Sequence, residues 1–453
     1  MIPAPLPGFL VEPIAAAGER LRRSLRVSAT RPVCGRIVEV KGPIARAAVS
    51  PVRIRELVSL REAGRGEIGL AEVIGFEGAY AVVAPFGAPQ GLSMRTEVVP
   101  LGRMLDVEAS PQMAGAVVDG LGQLLGRRAP SRLADMAAKR RPVRSPAPSP
   151  LSRRPISKPF STGIKAIDGL TTLGEGQRVA IIGNAGAGKS TLVTSLVRSA
   201  QADVVVMGLI GERGREVAET SARLAAEQAM GRTIIIAATS DRPAVERMNA
   251  AFAATAVAEY FRDQGLRVLL VIDSITRFAR AAREVGLSRG EPPGRRAFPP
   301  SVFDELPRLF ERAGATEHGS ITAAYTVLAE GDVEFDPLVE EVKALVDGHI
   351  VLSSEMAAAG RFPAIDALAS RSRVMEAVAD VEHLRCAHVL RDLMARHRDI
   401  ELLLRVGEYK AGQDQATDRA VNAAGPIARF LAQDVSRPVA MTETIAEMQR
   451  IVR

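Results

Sequence analysis

Tryptophan is absent from the 453 residues, and aromatic residues of all kinds make up 4%. A groove that stacks single-stranded bases on rings has little to build with here, so nucleic acid is not an expected partner. Cysteine is almost missing too. Cys34 and Cys386 lie far apart in the chain, which excludes a disulfide scaffold and suits a reducing cytosol. Long apolar runs are also lacking. The longest uncharged stretch, residues 78–94, is interrupted by Pro85, Pro89 and three glycines, whereas a membrane-spanning helix needs about 20 apolar residues. The opening Met1-Ile2-Pro3 has no basic region ahead of an apolar core, so no secretory signal is expected.

What is present fits a globular chain. Apolar residues reach 47% and charged residues 25%, and a prior of ~150 residues per domain predicts about three domains. The net charge of +7 is unevenly spread: residues 1–157 carry 23 Lys/Arg against 13 Asp/Glu. A basic third of this kind suits an anionic membrane surface, an acidic partner or nucleic acid, and equally a solvated surface.

Four regions follow from the patterning. Residues 1–30 form an arm whose segment 9–27 reads as an amphipathic helix, with Leu10, Ile14, Ala17, Leu21 and Leu25 at helical spacing and Arg20, Arg22, Arg23 and Arg26 toward its end. Such a helix suits a membrane surface, a partner or its own domain. Residues 31–100 alternate short β-rich runs (Arg36–Val40, Ile54–Val58, Gly66–Ile74, Tyr80–Val83) with Gly and Pro, the pattern of a small β-barrel. Residues 101–378 begin with a Pro- and Arg-rich connection over 129–160. They continue with four apolar runs, Arg178–Ile182, Val204–Met207, Thr233–Ala237 and Val268–Ile272, separated by helical stretches. Runs of that kind are buried parallel strands of an α/β sheet. Residues 379–453 lack strand runs and read as helical.

Gly183-Asn184-Ala185-Gly186-Ala187-Gly188-Lys189-Ser190 fits the P-loop pattern, with a strand before it and a helix from Thr191 after it. Its glycines turn successive backbone N–H groups inward around phosphates, Lys189 reaches the β- and γ-phosphates, and the Ser190 hydroxyl ligates Mg²⁺. The apolar run Val268–Ile272 ends in Asp273, where P-loop enzymes keep a carboxylate for Mg²⁺. Glu212, in Gly211-Glu212-Arg213-Gly214-Arg215-Glu216, follows another strand and can orient water for attack on the γ-phosphate. A charged solvated turn gives the same composition. His383, Cys386 and His388 match no zinc spacing.

These motifs, with Asp273-Ser274-Ile275-Thr276-Arg277-Phe278-Ala279, Gly290-Glu291-Pro292-Pro293, Phe298-Pro299-Pro300-Ser301-Val302-Phe303, Asp347-Gly348-His349-Ile350-Val351-Leu352-Ser353 and Phe362-Pro363-Ala364-Ile365-Asp366, resemble the type III secretion ATPases, relatives of the rotary F-type β subunit. Ala166–Leu170 and Lys189–Leu192 look more like injectisome than flagellar export ATPases. The resemblance implies an N-terminal β-barrel, a RecA-like P-loop domain and a C-terminal helical domain. It also implies ATP and Mg²⁺ as substrate and cofactor and assembly into a homohexamer. Glu212 is then the catalytic carboxylate with Arg213 beside it, Arg277 the arginine near the Mg²⁺ carboxylate, Arg373 a finger reaching the neighbour's nucleotide, and Phe362 an adenine-stacking aromatic. Residues 291–302 resemble a loop lining the ring's centre. The implied partners are a central stalk, a peripheral stator, chaperone–substrate complexes and the export gate at the inner membrane, with the ATPase on the cytoplasmic side. The rivals are a flagellar export ATPase and a hexameric RNA helicase. A non-catalytic ring subunit is the third, and Glu212 is the wrong residue for it.

Overall fold

The computed structural model describes residues 17–19 and 34–453, apart from 63, 88–89, 127–128, 134–135, 330, 332–334, 413 and 435. Of the helix expected over 9–27, residues 17–19 are helical and the rest lies outside the described residues.

The first compact unit is a closed barrel. Its strands are β1 (Gly35–Lys41), β2 (Ile44–Ala48), β3 (Glu56–Glu62), β4 (Gly66–Glu77), β5 (Tyr80–Pro85) and β6 (Glu97–Met104), in the order β1-β2-β5-β4-β3-β6. Alternate residues point inward, as closure requires: Ala45 and Ala47, Val58 and Leu60, Ala71 and Val73, Ala81 and Val83 meet in one core with Ile37 and Val98. The strand expected from Ile54 starts at Glu56 instead. Arg55 takes a positive φ of 71° and its guanidinium pairs with Glu72 at 2.8 Å, so the chain turns before the ladder begins. Strand β6 was not anticipated, because Pro100 and the flanking Glu97, Gly102 and Arg103 break its apolar signal.

The second unit runs from Met104 to the end of the chain. Its strands are β7 (Asp106–Ala109), β8 (Val117–Val118), β9 (Lys139–Pro142), β10 (Pro159–Phe160), β11 (Leu173–Gly174), β12 (Arg178–Gly183), β13 (Val204–Ile210), β14 (Thr233–Ala238), β15 (Arg267–Asp273), β16 (Gly314–Ala315), β17 (Ser320–Leu328), β18 (Gly348–Leu352) and β19 (Ile365–Ser372). The main sheet has the order β19-β18-β12-β17-β15-β13-β14-β8, with β16 beside β17. From β18 to β8 it is parallel, and β19 is antiparallel. Every residue of β13 and β14 is buried, which is why they read as unbroken apolar runs. Strand β17 hid from sequence reading. Its Ser320, Thr322, Thr326 and paired alanines dilute the apolar signal, yet it is buried along almost its whole length between β12 and β15.

The C-terminal helices Val381–Val406, Gln415–Leu431 and Met441–Val452 share one core. Cys386, Leu390, Ala420, Ile427, Phe430 and Met448 gather there around Leu170 of the nucleotide domain. His383 is part of this seam: its Nε2 lies 2.8 Å from the Gly169 carbonyl. Cys386 is buried beside it and His388 is exposed. Among the described residues no three potential ligands gather for a metal, and no helix is long and apolar enough to cross a membrane.

Candidate functional site

Strands β12, β13 and β15 all deliver site residues from their carboxyl ends, where open parallel sheets leave a crevice for ligands. Residues 184–188 leave β12 and Lys189 opens the helix Lys189–Ser199. Gly186 and Gly188 take φ values of 82° and 85°, a conformation that side chains resist. A Cβ on Gly183 would come within 2.9 Å of the Leu352 side chain, so β12 and β18 close tightly beneath the loop. The Asn184 Oδ1 is buried without a hydrogen-bond partner, while Ala185, Gly186 and Ser190 are exposed. Ala187 is buried and Thr191 is half-buried. The helix N-terminus and the loop's N–H groups together make an anion site.

Lys189 and Asp273 are both buried and meet directly, Nζ to Oδ1 at 2.6 Å. Thr326 of β17 donates its hydroxyl to the same Oδ1 at 2.7 Å. Beside them, Arg277 donates from Nη1 to the Gly211 carbonyl at 2.6 Å and from Nη2 to Glu212 Oε2 at 3.1 Å. Gly211 has φ 68°, and a Cβ there would meet the Arg277 side chain at 3.1 Å, so glycine lets the arginine lie flat under the turn.

Glu212 is only 7% exposed. Burial pushes its carboxyl up to about 8; a hydrogen bond with Glu216 and the Asp273 charge push the same way, against Arg277 and Lys189. The same hydrogen bond holds Glu216 below the usual carboxylate range. Arg213 does not join this pair from the inside: it is exposed, 3.5 Å from Glu216 Oε1.

Phe362 lies at the rim. It is 40% exposed, and its ring edge stands 3.4 Å from the place a Cβ would occupy on Gly188. Gln433, which sequence reading missed, fixes the neighbourhood. Its backbone N–H donates to the Phe362 carbonyl at 3.0 Å, its Oε1 accepts from Lys165 N at 2.8 Å, and its Nε2 donates to the Gly163 carbonyl at 2.7 Å. No pattern links positions so far apart in sequence.

Arg373 is the one expected site residue that the fold does not bring in. It follows directly on β19, whose Ser372 pairs with Gly348 at the start of β18. The P-loop sits at the other end of β18, beside Leu352. At ~3.3 Å per residue the two ends are roughly 13 Å apart. The exposed guanidinium donates to the Lys343 carbonyl at 3.2 Å, and Arg373 N donates to the Asp347 carbonyl. This arginine cannot serve the P-loop of its own chain.

Three family profiles match in succession: the ATP synthase alpha/beta family beta-barrel domain over residues 33–102, the nucleotide-binding domain of the same family over 163–372, and the T3SS EscN ATPase C-terminal domain over 379–450. A type 3 secretion system ATPase of Sinorhizobium fredii is 49% identical across 93% of each chain. The chain belongs to the type 3 secretion system ATPases. The assembled ATPase EscN of enteropathogenic E. coli superposes with a TM-score of 0.85 at 42% identity, covering 92% of this chain and all of the other. The same ATPase in complex with its central stalk EscO superposes with a TM-score of 0.82.

As a secretion ATPase the chain hydrolyses ATP, and its donor set suits Mg²⁺. Ser190 offers a hydroxyl and Asp273 a carboxylate, hard oxygen donors of the kind that cation selects. Asp273 carries two donors on Oδ1, and among the described residues none of its hydrogen bonds falls on Oδ2. The non-catalytic alternative fails on the family, whose members are ATPases. The RNA helicase reading fails on the family.

Proposed function

We propose that this ATPase works as a homohexameric ring at the base of a type III secretion apparatus, using ATP hydrolysis to release export substrates from chaperones and to unfold them. The observation that carries the ring is the separation of Arg373 from its own P-loop. A site that needs a guanidinium on the leaving phosphoryl has to receive it from the next chain, and such fingers contribute ~10³–10⁵ in rate. Residues 1–30, 31–100, 101–378 and 379–453 then act as arm, barrel, ATPase and helical domains. The partners fitting this reading are a central stalk, a peripheral stator, chaperone–substrate complexes and the export gate, with the ring in the cytoplasm against the inner membrane. The EscN–EscO complex supports the stalk.

In each site residues 183–191 cradle the phosphates, with Lys189 on the β- and γ-oxygens and Phe362 against the adenine. Ser190 and Asp273 would hold Mg²⁺, which would supply positive charge against the phosphates. Glu212, ionised once its proton passes along the hydrogen bond to Glu216, orients the attacking water. Arg277 holds the Glu212 carboxylate in place, and Arg213 adds positive charge at the outer edge. Lys189→Ala tests the assignment. Calorimetry should show tight Mg·ATP binding abolished while circular dichroism stays unchanged, because Lys189 has a polar partner rather than a packing role; unchanged affinity would overturn the P-loop reading.

A further inference from the structure

We propose that Thr326 is a positioning residue that fixes the rotation of Asp273, so that one carboxylate oxygen stays turned toward Mg²⁺. The proposal rests on reading Asp273 as the Mg²⁺ carboxylate. Thr326 is wholly buried in β17, the strand between β12, which leads into the P-loop, and β15, which ends in Asp273. Its hydroxyl lies 2.7 Å from Asp273 Oδ1 and 3.3 Å from the Ile272 carbonyl. A hydroxyl has one proton to give, and the shorter, charge-assisted bond takes it.

Two donors thus share Oδ1, and they differ in freedom. Lys189 ends a flexible four-carbon stem, and its role on phosphate draws its ammonium away from Asp273. Thr326 is β-branched, with a stiff χ1, on an interior strand. Its surroundings are pinned as well: Leu328 N donates to Thr276 Oγ1 at 2.8 Å, and Thr276 Oγ1 lies 3.1 Å from the Leu328 carbonyl, joining the end of β17 to the helix that follows Asp273. When Lys189 turns to phosphate, Thr326 remains on Oδ1, and Oδ2 keeps its direction. Without the hydroxyl, Asp273 would be a buried carboxylate free to rotate. Partners of metal-ligating groups typically alter metal affinity 10–100-fold when removed.

The test uses the full chain and a fluorescent ADP analogue, and reads the Mg²⁺ concentration that half-maximally tightens its binding, so turnover is not needed. Thr326→Val, which keeps shape and removes the hydroxyl, should raise that concentration by ~10–100-fold. Thr326→Ser should stay near wild type. Metal-free affinity should be the same in all three. Thr326→Ala serves as the second hydroxyl-free variant if the valine chain does not fold, and carries the same expectation. Wild-type Mg²⁺ dependence in the hydroxyl-free chain overturns the proposal, as does an equal loss of metal-free binding, which would mark a packing role. Asp273→Asn separates the two readings. If it shifts the Mg²⁺ dependence and the Thr326 variants do not, Thr326 has no such role; if it shifts nothing, Asp273 is not the Mg²⁺ carboxylate.

Discussion

Glu212 shows how one residue's surroundings reach into both rate and stability. On the proposed reading its charge orients water, so Glu212→Gln should retain Mg·ATP binding and lose steady-state turnover, and a variant with near wild-type rate would reduce Glu212 to a turn residue. The pH dependence has a definite sign. With a native pKa near 8 against an ordinary 4.5, the folded chain holds a proton here that the unfolded chain has released. The group's contribution to stability therefore falls as pH rises from about 4.5 to about 8. Glutamine stays neutral throughout, so nucleotide-free melts should show Glu212→Gln gaining on wild type between pH ~5 and ~8.5. Tyr325 offers a simpler case. It is fully buried, stacked on Phe310 at 4.1 Å between ring centroids, and its hydroxyl has no hydrogen-bond partner. Tyr325→Phe should leave unfolding free energy unchanged or raise it by up to ~1 kcal/mol in denaturant titration, since a buried unpaired hydroxyl is a cost. A loss of more than that would mean the hydroxyl has a partner. At this scale the sequence revealed the acid but not its environment. The motif placed Glu212 after a strand, whereas its burial and the proton shared with Glu216 depend on how the helix Gly214–Ala226 begins.

Elements were legible where burial is two-sided. Strands β13, β14 and β15 announced themselves through continuous Val, Ile and Leu, and β17 did not, because serine, threonine and alanine make up five of its nine residues. That omission concealed Thr326 as well. The segment after the helix Gln415–Leu431 was equally hidden, although it ties residues 163–165 and Phe362 together through Gln433. Gln433→Ala keeps the backbone bond to Phe362 and removes the side-chain bonds to Lys165 and Gly163. Each such bond contributes about 0.5–1.5 kcal/mol. The variant should melt earlier and show a raised KM for ATP with kcat less affected, because the loosened segment holds the rim beside Gly188 rather than the reacting atoms. Steady-state kinetics that move kcat alone would place Gln433 elsewhere in the cycle.

For the whole molecule, barrel, α/β domain and helical tail could be read in order from periodicity and punctuation. The position of Arg373 could not, because it depends on β19 turning back antiparallel along β18. That reversal puts Arg373 at the end of β18 away from the P-loop. Lys189→Ala and Arg373→Ala should each be inactive alone. Co-assembled in equal amounts, they should recover activity at about a quarter of the interfaces, where an intact P-loop meets an intact finger by chance. Cooperativity between sites lowers that ceiling, and an Arg373→Ala chain with full activity would rule out a finger acting between chains.

On the proposed reading, the two ends of β18 make each chain a link with unlike faces, one that accepts and one that donates. In a head-to-tail ring of such links, damage spreads according to which face is lost. A chain carrying one substitution silences a single junction. A chain carrying both silences the junction on either side of it. Added to wild-type chains as a fraction f, the single variant should leave intact junctions in proportion to 1 − f, and the double variant in proportion to (1 − f)². The curvature of an inhibition titration would then count how many neighbours each subunit serves.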